Sequence, residues 1–206
     1  YTETKSSAAS DVYKRQLVIV DVQNDFCDLP TSSLPVTGGV QVARDVDEFV
    51  ALAGVGYDRI AATRDWHEDP GDHFSDDPDF VDTWPHHCVA GSDGAEFHED
   101  LSLDTVDAVF SKGRFSASYT GFDGSTDDGT KLGDWLSGAG IVRVDVVGLA
   151  TDHCVRATAL DAAAAGFRTR VLLPLTAGVA EETTVAAIEE LADAGVELVG
   201  HLVERT

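Results

Sequence analysis

The sequence predicts one α/β domain built on a parallel sheet with helices on both faces. Three observations lead there. Short β-branched apolar runs alternate with segments of helical period, the pattern of repeated strand-helix-strand crossovers. Each apolar run is too continuous to be half exposed, as befits central parallel strands. A chain of 206 residues, 43% of them apolar and 25% charged, is long enough for one well-cored domain and short for two.

In chain order, strands are expected at residues 17–20, 59–63, 108–111, 143–147, 169–173 and 197–199. Helices are expected at 40–52, 131–137, 152–165 and 181–194, the last two closed by Gly166 and Gly195 as the left-handed residues that end helices. Residues 1–16 are polar and aperiodic before the abrupt apolar start at Leu17. They are expected to be a disordered or non-native tail, with the fold in 17–206; the bulky Tyr1 and the absence of methionine suggest a missing native start. Residues 66–103 resist this scheme, being far longer than an ordinary connection. Their histidines, with Trp66, Phe74 and Trp84, argue for order around a site.

Composition excludes several classes. A net charge of -23, from 37 acidic and 14 basic residues, repels nucleic acid and anionic membranes. Lysine is scarce and aspartate crowded, which suggests a hydrated surface adapted to high salt. No apolar stretch approaches the ~20 residues of a spanning helix, so a soluble protein is expected. Three cysteines without a C-x-x-C pair suggest a reducing, cytoplasmic setting. Monomer and homo-oligomer both remain open.

Open parallel sheets bind ligands beyond the carboxyl ends of their strands. Four expected strand ends carry reactive residues: Asp21, Asp65, Lys112 and, shortly after the fourth strand, Cys154. Cys154 falls at the start of a helix, where the helix dipole and a nearby lysine favour a thiolate. Asp21 after a buried strand needs a partner, which Lys112 supplies. Cysteine, acid and lysine on one edge make a nucleophile, a proton carrier and an electrostatic partner. A second group, Asp65, His67 and His73, joined by His87 or His86, offers ligands suited to one divalent Zn, Fe or Mn ion. Taken singly, each residue is equally a loop cap, a surface charge or a small buried cysteine. A catalytically silent metal-binding protein is the rival reading, and equal labelling of all three cysteines would favour it.

The residues also resemble a known family. LVIVDVQNDFC (17–27), ATRDWHEDPGDHF (62–74), WPHHCVAGSDGAEFH (84–98), FSKG (110–113) and VVGLATDHCVRATALDA (146–162) resemble the nicotinamidase/pyrazinamidase branch of the isochorismatase-like cysteine hydrolases. The resemblance implies a three-layer α/β/α sandwich with a six-stranded parallel sheet. It implies metal-dependent hydrolysis of nicotinamide to nicotinate and ammonia, with pyrazinamide as a side substrate, serving NAD salvage. Carried over, Cys154 is the nucleophile, Asp21 the proton carrier and Lys112 their charge partner. Asp65, His67, His73 and His87 are the metal ligands. Phe26, Trp84, Tyr119, Leu149 and His153 surround the substrate, and the backbone N–H groups of Ala150 and Cys154, after a cis Leu149-Ala150 bond, form the oxyanion hole. Residues 28–34 depart from the family's Gly-Gly turn, and neither Asp25 nor His98 gains a role.

Overall fold

The structure, a computed structural model, describes residues 14–205. In chain order it runs β1 (Arg15–Val20), α1 (Gly39–Ala53), β2 (Arg59–Asp65), β3 (Ala108–Lys112), α2 (Leu132–Gly138), β4 (Arg143–Leu149), α3 (Arg156–Ala164), β5 (Arg168–Ala177), α4 (Glu181–Asp193) and β6 (Glu197–Val199). The six strands form one sheet in the order β3-β2-β1-β4-β5-β6, and every neighbouring pair is parallel. The expected α/β/α sandwich is therefore the observed one. From β1 the chain winds outward to β2 and β3, then returns to place β4 on the other side. That reversal leaves a crevice beyond the carboxyl ends of β1 and β4.

The continuous apolar runs are explained by burial on both faces. Along β1, Leu17 and Ile19 pack with Val42, Ala43, Val46 and Val50 of α1. Val18 and Val20 point the other way, into a second core with Leu132 and Leu136 of α2, Ala159 and Ala162 of α3 and Leu191 of α4. All four β1 side chains are fully buried. Right-handed crossovers produce this division, because chain progress reverses direction across the sheet at β1. Gly166 (φ +92°) and Gly195 (φ +80°) follow α3 and α4 in the left-handed conformation expected of them.

The sheet is longer than the apolar runs suggested. β1 begins at Arg15, so Arg15 and Gln16, assigned above to the tail, belong to the fold. Gln16 is fully buried, and Arg15 reaches Asp145 on β4 at 3.2 Å. Asp145 also accepts from Tyr57 at 2.8 Å and from Arg170. These polar pairings lie too far apart in sequence for a local pattern to reveal. Lys14 of the expected tail is also described, its Nζ donating to Ala139 O at 2.9 Å, and residues 1–13 lie outside the described residues. β5 likewise continues to Ala177, and its register against β4 shifts between Val146 and Gly148. Pro174 falls in that irregular stretch, where a missing N–H is tolerated.

The long connection between β2 and β3 is ordered. It covers the α1 face of the sheet, burying Cys88, Ala95 and Leu101 in the first core. Short 3-10 turns at Gly71–His73 and Asp93–Ala95 shape it, and isolated bridges pair His67 with Val89 and Phe74 with Trp84. Among the described residues no helix is long and apolar enough to cross a membrane.

Candidate active site

The sheet delivers its reactive residues to one edge, as the strand ends predicted. Asp65 and Lys112 stand side by side in register at the ends of β2 and β3. Asp21 follows β1 with its N–H donating to Thr63 O at 3.2 Å. Its φ of +48° is left-handed, a conformation that costs a non-glycine residue about 1 kcal/mol or more. The Thr63 hydroxyl donates to Asp21 Oδ1 at 2.7 Å. Cys154 lies in a single π-helical turn, Thr151–Val155, between β4 and α3. It thus sits ahead of the α-helix rather than in its first turn, and the Leu149-Ala150 bond just before it is cis.

Lys112 is the hub of this edge. Its Nζ lies 2.9 Å from Asp21 Oδ2 and 2.5 Å from Asp65 Oδ1, and donates to Ser118 O at 3.2 Å and Cys154 Sγ at 3.6 Å. Burial alone would discharge this lysine, but Asp21 and Asp65 hold its pKa well above the ordinary value. Burial raises the Asp21 carboxyl against the pull of Lys112. Asp65 goes the other way, since Lys112 and His67 outweigh its burial and keep it well below the usual carboxylate range.

One expectation is corrected here. The helix start and Lys112 were expected to favour a thiolate, yet burial pushes the Cys154 thiol well above its ordinary value. Lys112 opposes that shift, but Asp21 and Asp65 reinforce it. Lys112 therefore favours the thiolate without outweighing the burial of the sulfur.

Next to this edge stand His67, His73 and His87, all buried, with ligand-capable atoms within 4.8 Å of one another. His67 Nδ1 lies 2.6 Å from Gly113 O and His87 Nδ1 lies 2.7 Å from Pro85 O. A ring nitrogen facing a carbonyl carries its hydrogen, so each Nε2 presents a lone pair. His67 Nε2 and His73 Nδ1 have no hydrogen-bond partner although buried. Burial and the neighbouring imidazoles lower the His73 pKa to about 4, and burial lowers that of His87. Convergent buried imidazoles, with ring nitrogens left without a partner on His67 and His73, fit a divalent cation of the borderline kind. Gly113 is required beside them: at φ +73°, a Cβ there would sit 2.6 Å from His67 Cε1. Asp65 lies between the two groups, with Oδ2 3.7 Å from His67 Nε2. His86 is exposed and packs its ring on Phe74 at 4.5 Å, so His87 is the member of the adjacent pair that joins the cluster.

Both groups open onto one pocket, which encloses about 450 Å³ of atom-free space including its mouth. Phe26, Trp84, Tyr119, His153, Ala150 and Cys154 line it, as expected. Trp84 Nε1 donates to the Tyr119 hydroxyl at 2.8 Å, and the His153 ring stands edge-on to Trp84 at 5.2 Å. Leu149 is the exception among the expected substrate contacts. It is fully buried in the α1-side core and does not line the pocket, because β4 continues through it and turns the next residue outward. Leu34, Val36, Ser118 and Val179 complete the wall. Of these, only Leu34 was foreshadowed by sequence, as an unusual lip.

The isochorismatase domain matches residues 15–201. The chain belongs to the isochorismatase-domain family. Within it, the chain is 54% identical over 185 residues, 90% of its length and 98% of the relative's, to the nicotinamidase/pyrazinamidase of Mycobacterium tuberculosis. It is 34% identical to the nicotinamidase of Escherichia coli, covering 89% of this chain and 93% of that one. Among solved structures, a pyrazinamidase of Pyrococcus horikoshii in complex with zinc aligns with TM-score 0.76 and 37% identity, over 90% of this chain and 98% of that chain. The L. infantum PnC1 in complex with nicotinate aligns with TM-score 0.79 and 35% identity, over 93% and 96%.

Proposed function

We propose that this chain hydrolyses nicotinamide to nicotinate and ammonia through a thioester on Cys154, accepts pyrazinamide as a side substrate, and serves NAD salvage in the cytoplasm. One observation carries the reading: Cys154, backed by the buried Asp21 and Lys112, and His73 and His87 of the three-histidine cluster line the same aromatic pocket. The zinc of the P. horikoshii relative and the nicotinate of the L. infantum relative support it.

In this mechanism Asp21 takes the thiol proton of Cys154, its raised pKa making it the stronger base. The thiolate sulfur adds to the amide carbonyl carbon. Lys112 offsets the negative charge passed between sulfur and carboxylate. The N–H groups of Ala150 and Cys154 hold the oxyanion of the tetrahedral intermediate. Asp21 returns its proton to the amide nitrogen, the carbon-nitrogen bond breaks and ammonia leaves. Asp21 then deprotonates a water that attacks the thioester carbonyl. The carbon-sulfur bond breaks, nicotinate is released and the sulfur recovers a proton. Phe26, Trp84, Tyr119 and His153 orient the ring and exclude bulk water. Asp65, His67, His73 and His87 would hold a divalent cation, which supplies an electrophilic position for the pyridine nitrogen.

Ammonia release from nicotinamide, with the protein as isolated, after chelation, and after re-addition of Zn, Mn or Fe, tests the reading. Release that chelation removes and a metal restores is expected. No release from folded protein under any of these metals would overturn it.

A further inference from the structure

We infer that Asp25 is a positioning residue whose single carboxylate holds two walls of the pocket, the lip at 33–36 and the histidine loop at 87–88. This rests on the function proposed above and adds to it a residue outside the reacting cluster. Asp25 is 6% exposed. Its Oδ2 accepts the Cys88 N–H at 2.7 Å and its Oδ1 accepts the Ser33 N–H at 3.0 Å. The two donors belong to segments 55 residues apart.

Each bond reaches a site residue through its neighbour. On the lip side, Leu34 N–H donates to Asp25 O at 3.1 Å and Val36 N–H to Phe26 O at 3.0 Å, so Leu34, Val36 and Phe26, all lining the pocket, are fixed relative to Asp25. On the other side, Cys88 follows His87 directly, and its carbonyl accepts the His67 N–H at 3.0 Å. The Cys88 backbone thereby braces two of the three clustered imidazoles. Cys88 also has φ +44°, a left-handed conformation that a non-glycine residue keeps only when its surroundings impose it. The carboxylate on its N–H is such a restraint. Gly94 packs directly against it: a Cβ there would lie 2.1 Å from Asp25 Oδ2, and Asp25 N–H donates to Gly94 O at 3.0 Å.

Asp25→Asn keeps the shape but has one acceptor oxygen. Its NH2 must face either the Cys88 or the Ser33 N–H, and strain in one wall passes to the other. Two quantities are read on folded protein well below its unfolding midpoint: the zinc dissociation constant by chelator competition, and KM and kcat for nicotinamide. Zinc affinity is expected to fall about tenfold or more, with KM raised severalfold and kcat changed less. Gly94→Ala, which displaces the same carboxylate without altering its charge, is expected to give the same signature and carries the test if Asp25→Asn does not fold. Wild-type zinc affinity and KM, with only a lower unfolding midpoint, would make Asp25 merely structural. A change in one quantity alone would equally overturn the two-wall role. A wild-type protein without nicotinamide activity would sink the proposed function instead, and the zinc titration would still decide whether Asp25 holds the histidine loop.

Discussion

Lys112 reaches the sulfur of Cys154 at 3.6 Å while holding Asp21 at 2.9 Å. One buried ammonium therefore touches both ends of the proposed proton transfer. Its charge favours the thiolate and the carboxylate alike, so a proton moving from sulfur to oxygen leaves the local charge unchanged.

Removing that charge leaves the buried carboxylates of Asp21 and Asp65 without their shared counter-charge. Lys112→Ala is expected to destabilise the fold by about 3–5 kcal/mol, the range for breaking a buried pair from one side. It should also abolish amide cleavage. Denaturant unfolding checks the first effect, and a loss below about 1 kcal/mol would mean that water enters and solvates the carboxylates.

The three cysteines differ in access. Cys27 and Cys88 are fully buried, whereas Cys154 lines the pocket, and burial pushes the Cys27 thiol to about 12. A small alkylating reagent is expected to modify Cys154 first, slowly at neutral pH because that thiol too is raised, and nicotinate is expected to protect it. Peptide mass mapping over time checks this. Equal modification of all three would remove the distinction.

Much of this was legible in the strand ends. Asp21, Asp65, Lys112 and Cys154 follow apolar runs, and a parallel sheet brings such ends to one edge whatever the loops do. The left-handed glycines after α3 and α4 were equally local. What escaped depends on partners distant in sequence. Gln23 binds the backbone of Asp65 through both N–H and carbonyl, each at 2.8 Å, and Asp152 accepts from Val179 N–H at 3.0 Å, holding a pocket wall. Neither residue type carries a signal until the fold supplies its partner. The start of β1 escaped for the same reason, as did the upward shift of the Cys154 thiol, whose burial no spacing reveals.

The histidine cluster should make the metal-free protein sensitive to acid. His73 titrates near 4 when folded against an ordinary value of 6.5. Between those values the unfolded chain takes up a proton that the folded site refuses. The stabilisation is therefore complete above about 6.5, declines as pH falls, and is lost below about 4. His87 is lowered too and adds to the slope. Unfolding midpoints of metal-free protein from pH 7.5 to 4 check this, with His73→Phe as control. A slope unchanged by that substitution would contradict it.

Net charge sets the response to salt. With a formal charge of -23, self-repulsion opposes the compact state, and raising ionic strength to about 1 M shortens the screening length to about 3 Å. The thermal midpoint is expected to rise between dilute buffer and molar KCl. A midpoint that stays level or falls would contradict adaptation to high salt.

The central claim is that Cys154 forms a covalent bond with the substrate. The most direct measurement is nicotinamide turnover by Cys154→Ala loaded with the same metal content as the parent, since the sulfur's hydrogen bond is to Lys112 while His67 and His87 are held by Gly113 O and Pro85 O. No ammonia release above background, with metal content retained, is predicted. Turnover at the parent rate would contradict the thioester route.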